Sequence, residues 1–153
     1  MRRFAPLFAV LALAAAPALA QEAAVPAPAA QADTATLTVT FTGITSPTGA
    51  VMMALFDSEA AYGPGKAAVR RVIIPVSGDT ATTTIADLPP GQYAIKAFHD
   101  VDGDGKMATN AFGIPSEPYA FSNDAKASMG PAKWSAAAFA ITAPSTTETI
   151  HID

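Results

Sequence analysis

The chain has 153 residues, no cysteine, two histidines and a formal charge of −4. That length suits one globular domain, and the lack of cysteine excludes disulfides, thiol nucleophiles and cysteine-ligated zinc. An acidic chain with no Lys/Arg cluster does not fit nucleic acid or anionic lipid as a partner.

Met1, Arg2 and Arg3 precede an apolar run over 4–16, and Pro17-Ala-Leu-Ala20 places small residues before a cut after Ala20. This is the layout of a secretory signal peptide over 1–20, and the run is shorter than the ~20 residues a membrane span needs. The chain is therefore expected to be periplasmic or secreted, with no membrane span once the leader is removed. Residues 21–33 are rich in Ala and Pro and read as a semi-extended tether. The domain is expected over 34–153.

Residues 35–42 alternate apolar side chains with threonine, the mark of a strand with one face inward. Residues 50–56 are apolar throughout, which reads as a central strand covered on both faces. A loop follows, with one helical turn near 58–61. Residues 69–76 are β-branched, and Pro75 assigns them to a sheet edge. Ser77-Gly-Asp79 reads as a hairpin turn into a strand over 80–85. Strands are also expected over 92–98, 136–142 and 147–152, although Ala136 to Ala138 suit a helix as well. The stretch 100–129 is long, irregular and punctuated by turn residues; uncommitted loops of that length are usually functional or tied down. The sum is an all-β antiparallel sandwich of about seven strands with one long irregular loop, an open barrel being the competitor.

Three motifs stand in order: Leu88-Pro-Pro-Gly-Gln-Tyr-Ala-Ile-Lys-Ala-Phe-His-Asp100, Asp102-Gly-Asp-Gly-Lys106, and Asn110-Ala-Phe-Gly-Ile-Pro115 followed by Tyr119-Ala-Phe-Ser-Asn123. Together they resemble an exported bacterial family catalogued as domain of unknown function 2141. The resemblance covers most of the chain from about Thr36 onward. It implies a periplasmic or secreted domain with no established activity and transfers no catalytic residue. The first element alone is also similar to turns that precede a strand in immunoglobulin-like and transthyretin-like sandwiches, where Pro and Gly shape the turn and Tyr re-enters the core.

The strongest chemical motif is Asp100-Val-Asp-Gly-Asp-Gly-Lys106. Carboxylates at 1, 3 and 5 with Gly at 6 match the first half of a calcium loop, and Lys106 takes the position that offers a backbone carbonyl. In a flat strand, alternate side chains lie roughly 7 Å apart, too far to share an ion, so the glycines must let the chain curl. The second half departs from the pattern. Ala108 stands where the resemblance implies an acidic residue, and Ala111 where a bidentate Glu belongs. Asn110, Glu117 and Asp124 are candidates for the missing ligands. Asp100, Asp102, Asp104 and Lys106 are thus the candidate metal site, with calcium the cofactor implied. Without an ion the same residues form a solvated Asp/Gly turn.

His99 beside Asp100 invites a catalytic reading, but neighbours in a strand point to opposite faces. No nucleophile-elbow serine is present, and no catalytic residue is expected. Phe112, Tyr119, Phe121 and Asn123 are the candidate ligand contacts, since rings beside hydrogen-bonding groups suit an envelope protein or a glycan. The expected function is a non-catalytic binding or interaction module of the bacterial envelope. The alternatives are a structural envelope protein without a small ligand and, last, a hydrolase working through His99.

Overall fold

The computed structural model describes residues 33–153; the expected leader, and the tether up to Ala32, lie outside the described residues. The elements run β1 (Ala35–Thr42), β2 (Ala50–Phe56), α1 (Glu59–Tyr62), β3 (Arg70–Pro75), β4 (Ala81–Leu88), β5 (Gly91–Asp100), β6 (Tyr119–Phe121), a 3₁₀ turn (Ser122–Asp124), α2 (Trp134–Ala137), β7 (Phe139–Ile141) and β8 (Ser145–His151). A three-stranded sheet has the order β4-β1-β8. A five-stranded sheet has the order β3-β2-β5-β6, with β7 also pairing to β5.

The alternation in β1 does what period two dictates. Ala35, Leu37, Val39 and Phe41 are buried, while the intervening threonines face outward. Thr40 and Thr82 bring their hydroxyls to 3.2 Å across the β1–β4 pair. Val51, Met53, Leu55, Ile95 and Ala97 supply the facing layer, and one apolar cluster joins both sheets. Two mostly β layers closed on a common core make a sandwich.

Four expectations need correction. The sandwich has eight strands, and it is not wholly antiparallel: β8 runs parallel to β1, from Thr36↔Ser145 to Thr42↔His151. Ser77-Gly-Asp79 does not close a hairpin. The strands on either side lie in different sheets, and the segment turns the corner between buried Val76 and buried Ala81. Local turn chemistry was read correctly there, but Ala81, Ile85 and Leu88 bury themselves only on the opposite layer. One extra residue on β4 between Ile85 and Leu88, with Asp87 at φ 58°, keeps all three inward. Ala136 and Ala137 belong to α2, so the strand expected over 136–142 shortens to β7. Finally, the irregular stretch 100–129 also holds a short strand, since β6 returns along β5 within it. As expected, β3 is an edge strand.

The five-stranded sheet has an outer face as well. There Phe56, Tyr62, Ala94, Phe121, Ala132 and Ala137 form a second, smaller core under α1 and α2. This explains why β2 and β5 are apolar nearly throughout. Among the described residues, no helix is long and apolar enough to cross a membrane.

Candidate functional site

The register of the five-stranded sheet sets two rows of side chains across its outer face. One row is Arg71–Ala54–Lys96–Phe121 and the other is Ile73–Met52–Phe98–Tyr119. At the α1 end the rows are covered by the second core. Toward the other end they are left open, and Ile73 is 64 % exposed. The segment after β5 and the segment before α2 both reach the opening. Met107, Ile114, Met129 and Pro131 thereby join Met52, Phe98 and Tyr119 around a cleft of about 930 Å³. Its charged lining residues are Lys96 and Arg71.

Lys96 is the one charged side chain in the middle of β5. Its ammonium donates to the Tyr62 carbonyl at 2.6 Å and lies 3.9 Å from the centre of the Tyr62 ring and 5.1 Å from that of Phe56. Tyr62 in turn meets Trp134 edge-on, with ring centres 5.7 Å apart. Burial draws the Lys96 ammonium below the usual lysine range and pushes the Tyr62 phenol up to about 12. The Tyr62 hydroxyl is buried without a hydrogen-bond partner among the described residues.

The 101–118 segment is built from the root upward by carboxylates accepting backbone N–H groups. Asp100, 3 % exposed, takes Gly103 at 2.8 Å and Asp104 at 3.2 Å on Oδ1, and Gly105 at 2.9 Å on Oδ2. Gly105 has φ +76°, a left-handed conformation that a glycine adopts freely and that aims its N–H back at Asp100. Glu117 then staples both ends, accepting Val101 at 3.0 Å on Oε1 and Ala108 at 2.9 Å on Oε2. Between them Asn110 caps a small turn by accepting Phe112 and Ile114 on its side-chain oxygen, so the tip is ordered by one amide.

The expected metal residues are therefore only partly gathered. Asp100, Asp102 and Glu117 bring one carboxylate oxygen each to within 4.8 Å of one another. Asp104 lies outside that group and accepts the N–H of Lys106 at 2.7 Å instead. Of the candidates for missing ligands, Glu117 converges. Asn110 gives its side-chain oxygen to the Phe112 and Ile114 N–H groups, and Asp124 lies outside the group and accepts the His151 N–H at 2.7 Å.

Among the expected ligand contacts, Tyr119 and Phe121 line the cleft. Phe112 stands 88 % exposed at the loop tip. Asn123 is held elsewhere. Its side-chain amide donates to the Ala138 carbonyl at 2.8 Å, and its N–H to Glu148 at 2.9 Å. Its neighbour Ser122, fully buried, accepts the Ile95 N–H at 2.8 Å and donates to the Ala137 carbonyl. Ser122 to Asp124 thus clamp β5, α2 and β8 together, a role the sequence reading missed. A smaller cavity of about 330 Å³ beside this clamp is lined by Lys126, His151 and Asp153, among others. Lys126 there is already paired with Asp153 at 3.0 Å.

His99 is buried on the inner face, where its Nε2–H donates to the Thr48 carbonyl at 2.7 Å. Asp100 faces the other side, so the two side chains do not form a dyad.

These features define a two-layer β domain with an apolar cleft beside a carboxylate-braced loop. Residues 39–149 match the family described as an uncharacterized protein conserved in bacteria, domain of unknown function 2141, and the chain belongs to that family. No curated protein and no solved structure matches it.

Proposed function

We propose that the chain is a non-catalytic binding module of the bacterial envelope, exported on the 1–20 leader and carried on the 21–33 tether. The cleft on the outer face carries this reading. Its volume of about 930 Å³ falls within the range of small-molecule sites, and its lining is apolar with few polar groups. A sandwich hosts many functions, so the support comes from the cleft and not from the fold. A purely structural domain has no use for Ile114 and Met129 left to solvent on the walls of one cleft. A hydrolase finds little support, because His99 spends its Nε2–H on a backbone carbonyl.

The test is binding of an uncharged, environment-sensitive apolar dye to the full-length chain. Saturable binding at one site is expected, abolished by Ile114→Asp, which places a charge in the cleft wall at an exposed position. Equal binding by the variant would remove the cleft from consideration.

A second reading is favoured by the convergence of Asp100, Asp102 and Glu117. Held between them, a calcium ion would tie the loop root to the end of β5 and steady the cleft wall. The donor set is all oxygen, as calcium prefers, though it falls short of six ligands without carbonyls or water. Titration calorimetry with thermal melts decides it. Saturable heat and a raised Tm, both lost in Asp102→Ala, support the ion; no heat at millimolar calcium leaves a loop closed by its own N–H groups.

A further inference from the structure

We infer that the cleft takes an anionic amphiphile, an acyl-chain carboxylate in chemical class, with Lys96 anchoring the head group and the Met52–Phe98–Tyr119 row supporting the tail. This deepens the binding reading above and rests on it.

The first observation is a cation without an anion. Among the described residues the one ion pair is Lys126–Asp153, so Lys96 has no carboxylate partner. One of its three N–H donors goes to the Tyr62 carbonyl, and the rings of Tyr62 and Phe56 take up part of the charge. A cation half-removed from water without a counter-charge is costly, and a bound carboxylate relieves that cost. Burial lowers the Lys96 pKa, in keeping with an ammonium short of counter-charge.

The second observation is where that cation sits. Lys96 and Arg71 lie in one row across the outer face, with the small Ala54 between them. The adjacent row, Ile73–Met52–Phe98–Tyr119, is apolar and crosses four strands, a floor of about 14 Å. One row thus offers positive charge and the next a long apolar floor, which is the complement of a carboxylate joined to an alkyl chain. Met52, Met107 and Met129 around the opening suit a flexible tail, since methionine adapts its shape to what it meets. A sugar would need more hydrogen-bonding side chains than Lys96, Arg71 and Tyr119, in a lining that is otherwise apolar or glycine.

Trp134 is the only tryptophan in the chain, and it contacts the Tyr62 ring under Lys96. Its fluorescence is therefore a built-in reporter. The full-length chain is titrated with decanoate and, separately, with decanol. Decanoate is expected to bind about tenfold tighter or more, as a charge-assisted hydrogen bond predicts. Lys96→Met should abolish the preference for decanoate over decanol, and Lys96→Arg should retain it. Equal binding of acid and alcohol by the wild-type chain overturns the anionic class but leaves the apolar cleft standing. A preference that survives Lys96→Met and disappears in Arg71→Met overturns the assignment to Lys96. Failure of both probes, together with failure of the neutral dye, overturns both readings.

Discussion

The two faces of the five-stranded sheet are made from the same strands and do different work. On the inner face Val51, Met53, Leu55, Ile95 and Ala97 pack against the three-stranded sheet and lose nearly all contact with water. On the outer face Met52, Lys96 and Phe98, each one residue away, are only half-buried. Alternation alone sorts them, since adjacent residues in a strand point to opposite sides. The inner face was closed by another layer of the same chain; the outer face was closed at one end by α1 and α2 and left open at the other. The closed core therefore lies on one side of the sheet and the open cleft on the other.

The sharpest way to break this comparison is a matched pair of truncations. Leu55→Ala, at a fully buried inner position, should cost about 2–5 kcal/mol in denaturant unfolding. Met52→Ala, from the outer row of the same strand, should cost no more than about 1 kcal/mol. Equal losses would mean the outer face is as much a core as the inner one. The loop gives the next contrast. Asp100→Ala strands the N–H groups of Gly103 and Gly105 and leaves that of Asp104 to Asp102 alone, with a cost of about 1–3 kcal/mol. Asp104→Ala removes one exposed contact and should stay within about 0.5 kcal/mol.

The smallest effect is Tyr62→Phe. The hydroxyl is buried without a partner, so its removal at neutral pH should be neutral or slightly stabilising in thermal melts. Its signature lies in alkali. The folded-state phenol titrates near 12 against an ordinary 10, so the folded form holds its proton longer and stability falls as pH climbs from 10 to 12. Tyr62→Phe should shrink that step, leaving the part that comes from Tyr93, whose phenol burial also raises. Lys96 acts with the opposite sign: its lowered folded value means stability gained as pH rises toward the ordinary 10.5, so the two windows follow one another. Melts of the wild type and variant from pH 9 to 12 separate them.

Much of the architecture was legible because it is written in short-range pattern. The threonine alternation located β1, the apolar run located β2, the Pro-Pro-Gly turn located the start of β5, and Pro75 marked the edge. Asp100 and Asp102 were recognisable from spacing, and Tyr93, whose hydroxyl donates to the Pro89 carbonyl at 2.8 Å, follows its turn as expected. Lys96 was open to discovery too, as the only charge within an apolar strand, but its importance depends on what faces it.

What the sequence determined by itself is local: which residues form strands, which side of each strand is apolar, and where glycine and proline turn the chain. Membership of the family also follows from the sequence alone, over residues 39–149. Only the tertiary structure decided that the turn after β3 changes sheets, that β8 runs parallel to β1, and that Glu117 joins Asp100 and Asp102 while Asp104 does not. The physical reason is the range of the interactions involved. Pattern and turn chemistry act over a few residues, whereas layer assignment, strand direction and the convergence of side chains depend on which distant surfaces bury one another.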